Sequence, residues 1–288
     1  MKINKVSIVI PAYNEEEAIG QDLRTIIDAM DSSGRDYEVI VVDDDSSDST
    51  SEIVKSFHGV ELIKHRSNRG GGFSRNTGIK AASGDVVVVT DGDGTYPNQD
   101  IPKMLDYMEE NDLDMVVGAR RKEAGTMKLL RTPVKLFIRK LAELMSGFKI
   151  PDLNSGLRAI KRDVFMKYME ILPWGHSWVS TITLAMLSDG HQVDYVKIDY
   201  YQRKGSSTFH PIKDTSGYLT LVIRTVTWFN PLKVFMPIAI LIGIVGAVWL
   251  GFDISKWDLR ISTVLFMVTS LQIAAIGLLA DLIAKRGK

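Results

Sequence analysis

The sequence predicts an α/β domain built on a mostly parallel sheet, followed by a two-helix transmembrane hairpin. Three observations carry this. Short β-branched apolar runs alternate with helical patterns through the first 120 residues; polar, acid-rich clusters stand where those runs end; and two long uncharged apolar stretches close the chain. Strands alternating with helices imply a parallel sheet covered on both faces.

Taken in order, residues 6–11, 38–43, 60–65, 85–90 and 114–118 read as strands, with helices expected over 16–31, 49–57, 73–82 and 100–110. The stretch 127–148 places Leu129, Leu130, Val134, Phe137, Ile138, Leu141, Leu144 and Met145 at helical spacing, interleaved with Lys128, Arg131, Lys135, Arg139 and Lys140. A basic amphipathic helix of this kind suits the lipid headgroup layer, although a core-facing helix with a charged outer face has the same pattern. Residues 215–230, with Trp228 and Phe229, read as a second interfacial stretch.

The uncharged runs cover 234–252 and 261–280, 19 and 20 residues. At about 1.5 Å per residue each spans the hydrocarbon layer of roughly 30 Å. The polar segment 253–260 between them makes a hairpin, so both termini are expected on one side. Lys233, Lys285, Arg286 and Lys288 put that side in the cytosol. Residues 1–11 are too short for a signal peptide and run into a strand. The expected organisation is a cytosolic domain over 1–210, a juxtamembrane helix over 211–230 and the hairpin over 231–288.

The 288 residues carry 35 basic and 35 acidic side chains and no cysteine. Zero cysteines exclude disulfides, thiolate zinc sites and cysteine nucleophiles. A net charge of zero argues against a general nucleic-acid binder. The tail of 231–288 holds six basic and three acidic groups, leaving 29 and 32 for the rest, so a mildly acidic domain precedes a membrane segment.

In parallel sheets ligands bind beyond the carboxyl ends of the strands. Tyr13-Asn14-Glu15, Asp43-Asp44-Asp45 and Asp91-Gly92-Asp93 occupy those ends. Carboxylates alone repel phosphate, but an Asp-x-Asp pair can hold Mg²⁺ or Mn²⁺, which bridges to diphosphate oxygens. Acidic pairs also sit in solvated turns, so this motif alone decides little.

More specific is the series Val9-Ile10-Pro11-Ala12-Tyr13-Asn14-Glu15-Glu16, then Val42-Asp43-Asp44-Asp45-Ser46-Ser47-Asp48-Ser49-Thr50, then Asp91-Gly92-Asp93. It resembles the family 2 inverting glycosyltransferases with a GT-A fold. Pro151-Asp152-Leu153-Asn154-Ser155-Gly156-Leu157-Arg158, Arg203-Lys204-Gly205-Ser206-Ser207 and the two C-terminal spans are similar to the branch containing dolichol-phosphate mannose synthase and bacterial polyprenyl-phosphate glycosyltransferases.

That resemblance implies contacts to the nucleotide by Pro11, Tyr13, Glu15, Val42, Asp44 and Asp91, and a Mg²⁺ or Mn²⁺ ion on Asp91 and Asp93. Thr95 stands where related mannose synthases carry Gln, Asp45 where many relatives have Gly, and Gly71 where many have Lys. The implied acceptor is a polyprenyl phosphate, already anionic near neutral pH because its second pKa is about 6. It needs no general base to attack the sugar C1. Arg120, Arg131, Arg203 and Lys204 are the candidates to hold its phosphate, with Asp152 beside them; Asp93, Arg120, Asp152 and Arg203 form the expected catalytic set. His176 and His191 have no metal-ligand partner at suitable spacing.

The implied partners are a nucleotide sugar, with UDP favoured over GDP, the lipid phosphate, a membrane, and further copies of the chain as a dimer or tetramer. The resemblance also implies an inner-membrane location. Processive polysaccharide synthases share the first half of the pattern, but their Gln-x-x-Arg-Trp motif is absent and one hairpin cannot enclose a channel. A catalytically silent, membrane-tethered nucleotide-binding protein is the other alternative.

Overall fold

The computed structural model describes residues 2–121, 147–175, 177–203 and 230–286, with single positions at 140, 143 and 227. The expected interfacial stretches, together with Arg131, His176 and Lys204, lie largely or wholly outside these residues.

The strands are β1 (Lys5–Ala12), β2 (Asp36–Asp43), β3 (Val60–Lys64), β4 (Val86–Val89), β5 (Met115–Arg120), β6 (Arg158–Lys161) and β7 (Val193–Ile198). They form one sheet in the order β3-β2-β1-β4-β6-β5-β7. All are mutually parallel except β6, which runs antiparallel between β4 and β5. The helices are α1 (Ile19–Ser33), α2 (Thr50–Lys55), α3 (Gly71–Ala81), α4 (Ile101–Glu110), α5 (Arg162–Met166), α6 (Trp178–Ser188), α7 (Leu232–Lys256) and α8 (Ile261–Arg286). Every strand and helix expected before residue 120 is present. The sequence reading did not anticipate β6, β7, α5 or α6.

Because side chains alternate along a strand, the sheet builds two cores. Ile8, Ile10, Val39, Val41, Val86 and Val88 face α1 and α4; Val9, Ile40, Val42, Val87 and Val89 face α3 and α6. Such near-continuous Val/Ile strands are what burial on both faces demands. Trp178 lies wholly inside the second core and donates its indole N–H to Asn76 (2.8 Å), whereas Trp174 is exposed. His191 pairs with Asp114 (3.0 Å) at the amino-terminal edge of the sheet, a structural position.

The hairpin helices exceed the expected spans at their ends. The turn is also shorter than 253–260, because α7 continues to Lys256. Asp253 causes this. It is buried and accepts hydrogen bonds from the Arg260 backbone (3.1 Å), Arg260 Nε (2.6 Å) and the Thr263 hydroxyl, tying the last turn of α7 to the first of α8. Ser270 donates to the Ala239 carbonyl across the hairpin (2.8 Å), at a close approach permitted by Gly243. Leu241, Ile244, Leu271 and Ile283 point outward and exposed. A buried core helix would cover them, so the two long apolar helices are membrane-spanning in character.

At its start α7 touches the domain: Val234 packs on the buried cluster Ile150, Leu153, Leu184 and Leu187. The hairpin and the end of the sheet therefore share an apolar joint.

The amino-terminal edge of the sheet is closed by Glu38 on β2. It accepts hydrogen bonds from Ser7 (2.5 Å), the Ser83 backbone (2.7 Å) and Lys5 (3.0 Å), and Ser7 also receives the Gly84 N–H (2.8 Å). Burial would raise the Glu38 carboxyl, but these bonds outweigh it and hold it at about 2. A pKa lowered from 4.5 stabilises the fold above the unfolded value, and that stabilisation disappears as pH falls toward 2. Glu38→Gln is expected to lower the thermal midpoint of the detergent-solubilised protein at pH 7. Its gap from wild type should narrow steadily below pH 4.5, read from midpoints across a pH series.

Candidate active site

All the acid-bearing loops leave the carboxyl edge of the sheet. After β1 the chain turns through Asn14 in the left-handed region (φ 55°). This turn is laced to the one after β2. The Asn14 N–H donates to Ser46 (3.0 Å), the Ser47 N–H to the Asn14 side-chain oxygen Oδ1 (2.8 Å), the Glu15 N–H to Thr50 (2.9 Å) and the Ser49 N–H to Glu16 (2.9 Å). Tyr13 is left exposed above the edge, and Asp45 occupies a left-handed turn position (φ 68°).

Not every residue expected at the nucleotide faces the crevice. Val42 is wholly buried in the second core, against Gly78 of α3, so its side chain does not line a pocket; the alternation of β2 turns it inward. Pro11 is half-buried in β1, in register with Val42. The Asp44 carboxylate is turned in and fully engaged. It receives the backbone N–H groups of Arg69 (3.0 Å) and Gly70 (2.7 Å) and meets His65 Nδ1 at 2.6 Å. In this geometry Asp44 holds the loop that opens α3.

Three carboxylates do converge: Glu15, Asp91 and Asp93. Arg203, which follows β7, reaches Glu15 at 2.5 Å and Asp93 at 3.5 Å. Arg75 on α3 pairs with Asp91 at 2.5 Å. Burial pushes the Glu15 carboxyl up to about 8, against the pull of Arg203, and Asp93 and Asp91 push it the same way. Asp93 is raised by burial and then by Asp91. The Thr95 backbone (3.1 Å) and hydroxyl (2.5 Å) both donate to Asp93, so Thr95 orients this carboxylate.

Crowded, desolvated carboxylates of this kind fit a hard divalent cation. Among the described residues no group of three Asp, Glu or His side chains forms a complete cage. Asp91 and Asp93 would therefore supply two ligands and leave the rest to substrate oxygens and water, the arrangement Mg²⁺ and Mn²⁺ adopt with phosphates.

Arg120, at the end of β5, makes a bidentate pair with Asp152: Nε to Oδ2 at 2.7 Å and a terminal nitrogen to Oδ1 at 2.9 Å. Burial would raise the Asp152 carboxyl, but Arg120 overcomes it and holds it below the usual range. The Arg120 guanidinium also stands over Tyr200, 5.1 Å from the ring centre. The 199–203 segment crosses the Asp91–Thr95 loop, with the Tyr201 N–H on the Thr95 carbonyl (2.9 Å) and Tyr200 edge-on to Tyr96. Arg120, Arg203 and the acidic loop thus stand close together at this edge; Arg131 and Lys204 lie outside the described residues.

The sequence reading assigned no role to Arg75, Tyr96, Arg158 or Asp22. Arg158 is fully buried, donating to the Val179 carbonyl (2.9 Å), Thr183 (3.0 Å) and the Ser155 carbonyl. Tyr96 accepts the Gly156 N–H (2.6 Å). Asp22 had a signal: it falls on the apolar stripe Ile19, Leu23, Ile26, Met30 of α1, where a carboxylate needs a reason.

An acidic, cation-suited crevice at the carboxyl edge of this sheet, beside a membrane hairpin, is the setting of a sugar-nucleotide transferase. The chain belongs to glycosyl transferase family 2, which it matches over residues 7–169, and residues 230–285 match the GtrB C-terminal hairpin. It is a glycosyltransferase. It is 26% identical to the undecaprenyl-phosphate 4-deoxy-4-formamido-L-arabinose transferase of Proteus mirabilis, over 99% of this chain and 90% of that one. It is 30% identical to the dolichol-phosphate mannosyltransferase of Pyrococcus furiosus, over 78% of this chain and 64% of that one. The fold is that of glucosyl-3-phosphoglycerate synthase from Mycobacterium tuberculosis, crystallised with Mn²⁺, UDP and phosphoglyceric acid (TM-score 0.62, 20% identity, covering 77% of this chain and 78% of that one).

Gly156 tests the tightness of this site. A Cβ there would lie 2.6 Å from Asp91 Oδ2 and 3.2 Å from the Tyr96 oxygen. Gly156→Ala is expected to displace Asp91 and weaken nucleotide binding by about tenfold or more, measured calorimetrically, because sites of this kind tolerate shifts of about 1 Å poorly.

Proposed function

We propose that this protein transfers one sugar, with inversion, from a nucleotide sugar to a polyprenyl phosphate at the cytosolic face of the inner membrane. The observation that carries the reading is the distance, in chain terms, between chemistry and anchor. Asp152 grips Arg120 at the crevice, and the next residue, Leu153, belongs to the apolar cluster on which Val234 of the first membrane helix packs. An acceptor confined to the bilayer would meet the crevice at that joint. The named relatives act on undecaprenyl and dolichol phosphates, which supports the same acceptor class here.

In this reading residues 1–210 are the cytosolic catalytic domain, 211–230 the juxtamembrane segment and 231–288 a hairpin with both termini in the cytosol. Tyr13, Glu15 and Asp91 serve the nucleotide directly, with UDP favoured; Pro11 and Asp44 serve it by shaping the end of β1 and the Arg69–Gly70 loop beside it. Asp91 and Asp93 hold Mg²⁺ or Mn²⁺, whose charge would stabilise the departing nucleoside diphosphate. Arg120 and Arg203, with Arg131 and Lys204, position the acceptor phosphate, since a guanidinium fork meets two phosphate oxygens at once. One acceptor oxygen bonds to the sugar C1 as the bond from C1 to the diphosphate oxygen breaks. No proton must be removed, so no general base is required. Asp152 sets the plane of Arg120. Copies of the chain associate through their hairpins.

Labelled sugar should pass into the organic phase when the purified protein is mixed with polyprenyl phosphate and one member of a panel of UDP- and GDP-sugars. EDTA should abolish the transfer, and Asp93→Asn should reduce it by about a hundredfold or more, the scale on which one electrostatic group at a transition state acts. Transfer that survives both treatments would remove the metal from the mechanism. Asp152→Asn separates the two substrates: the acceptor KM should rise about tenfold, as expected from losing one charge-assisted hydrogen bond, while nucleotide affinity stays nearly unchanged. Equal losses for both substrates would place Asp152 outside the acceptor site.

A further inference from the structure

The loop Asp91–Thr95 has to hold two crowded carboxylates still, and Gly92 within it packs closely on Ile19 and Ile10. A cavity of about 150 Å³ opens at its back, among Gln21, Thr25, Gly94 and Tyr201. Gly94 itself has φ +75°, a conformation that turns its N–H away from the strand direction and into α1. There it meets Asp22, which is 6% exposed.

Asp22 makes two hydrogen bonds. Oδ2 accepts the Gly94 N–H at 2.9 Å, and Oδ1 accepts the side-chain amide of Asn98 at 3.1 Å. Asn98, also buried, uses its carbonyl oxygen to accept the Thr90 hydroxyl at 2.7 Å. The chain Gly94–Asp22–Asn98–Thr90 therefore straddles the loop, fixing it one residue before Asp91 and one residue after Asp93. The requirement is for a carboxylate: both atoms that approach Asp22 are donors, and an amide would present one acceptor and one donor. Burying an acid on an apolar helical stripe is costly, and the core gains no packing from it that a Leu would not supply.

We propose that Asp22 is a positioning residue for the cation site: its two hydrogen bonds, relayed by Asn98, set the geometry in which Asp91 and Asp93 bind a divalent ion. This rests on the reading of Asp91 and Asp93 as metal ligands. Asp22 does not touch the ion or the substrates. It acts through the backbone of Gly94 and through the Asn98 relay.

The pattern suggests its own test, an exchange of the two side chains. In Asp22→Asn the amide turns a donor toward either Gly94 or Asn98, so the relay persists only if Asn98 flips its amide and the Thr90 hydroxyl accepts instead of donating. In Asp22→Asn combined with Asn98→Asp, position 22 accepts from Gly94 and donates to position 98, whose carboxylate accepts from Thr90. All three bonds return, with the same total charge.

Mn²⁺ binding to the full-length protein in detergent would be followed by electron paramagnetic resonance, with the ion alone and with UDP or GDP, alongside thermal midpoints and transferase assays. Asp22→Asn is expected to weaken Mn²⁺ binding at least tenfold, and the exchanged double variant to recover to within threefold of wild type. Asp93→Asn serves as the control. If wild type binds Mn²⁺, Asp93→Asn abolishes it, and Asp22→Asn alters the thermal midpoint but not the affinity, Asp22 is only structural and the proposal fails while the metal reading stands. Failure of the double variant to recover affinity, with its midpoint restored, would overturn the hydrogen-bond relay. No Mn²⁺ binding by wild type would sink the metal reading and this proposal together.

Discussion

Six parallel strands deliver their carboxyl ends to one edge, and at that edge the sequence places acid after acid. Glu15, Asp44, Asp91 and Asp93 all leave water to some degree, and like charges in a poorly solvated crevice repel strongly. Much of the surrounding structure answers that repulsion. Asp44 is satisfied by two backbone N–H groups and His65, Asp91 by Arg75, Asp93 by Thr95 and Arg203, and Asp152 farther along by Arg120. The fold tolerates the cluster because nearly every carboxylate has its own donor. The charge left over between Asp91 and Asp93 is what a cation can use.

The antiparallel strand β6 has a consequence for function. By entering between β4 and β5 it brings the 150–158 segment back across the crevice, so that Gly156 touches Asp91 and Tyr96 while Asp152 reaches Arg120. The same segment contributes Ile150 and Leu153 to the cluster that seats the first membrane helix. One short stretch of chain thus borders the cation-suited loop and the membrane joint. A rigid connection of this kind suits a reaction in which one substrate arrives from water and the other from lipid. The opposite edge of the sheet, closed by Glu38 and its partners, carries ion pairs that join neighbouring strand ends.

Much of the fold was legible in the residue pattern. Strands such as 86–89 are runs of valine bounded by polar turns, and the hairpin announces itself by two charge-free stretches. The missed elements have identifiable causes. β6 is four residues of Arg-Ala-Ile-Lys, with charge at both ends, and only the sheet around it makes Arg158 a buried residue. α6 is apolar on all sides because it is enclosed, so it shows no helical stripe. Val42 was expected in the crevice on the strength of its motif, but strand alternation turns its side chain into the core.

What the sequence determined by itself is local: period-two and helical spacing set the elements, apolar length sets the hairpin, and the ordered acid motifs mark the carboxyl edge of the sheet. These signals depend on neighbours within a turn or two of chain, and so survive without a structure. The pairings were decided only by the tertiary structure. Arg203 lies 188 residues from Glu15, Arg120 lies 32 from Asp152, and Asp22 lies 72 from Gly94. A charged side chain has many possible partners at such separations. Which one it meets is settled by strand order and by the desolvation that makes an unpaired charge at that edge too costly to keep.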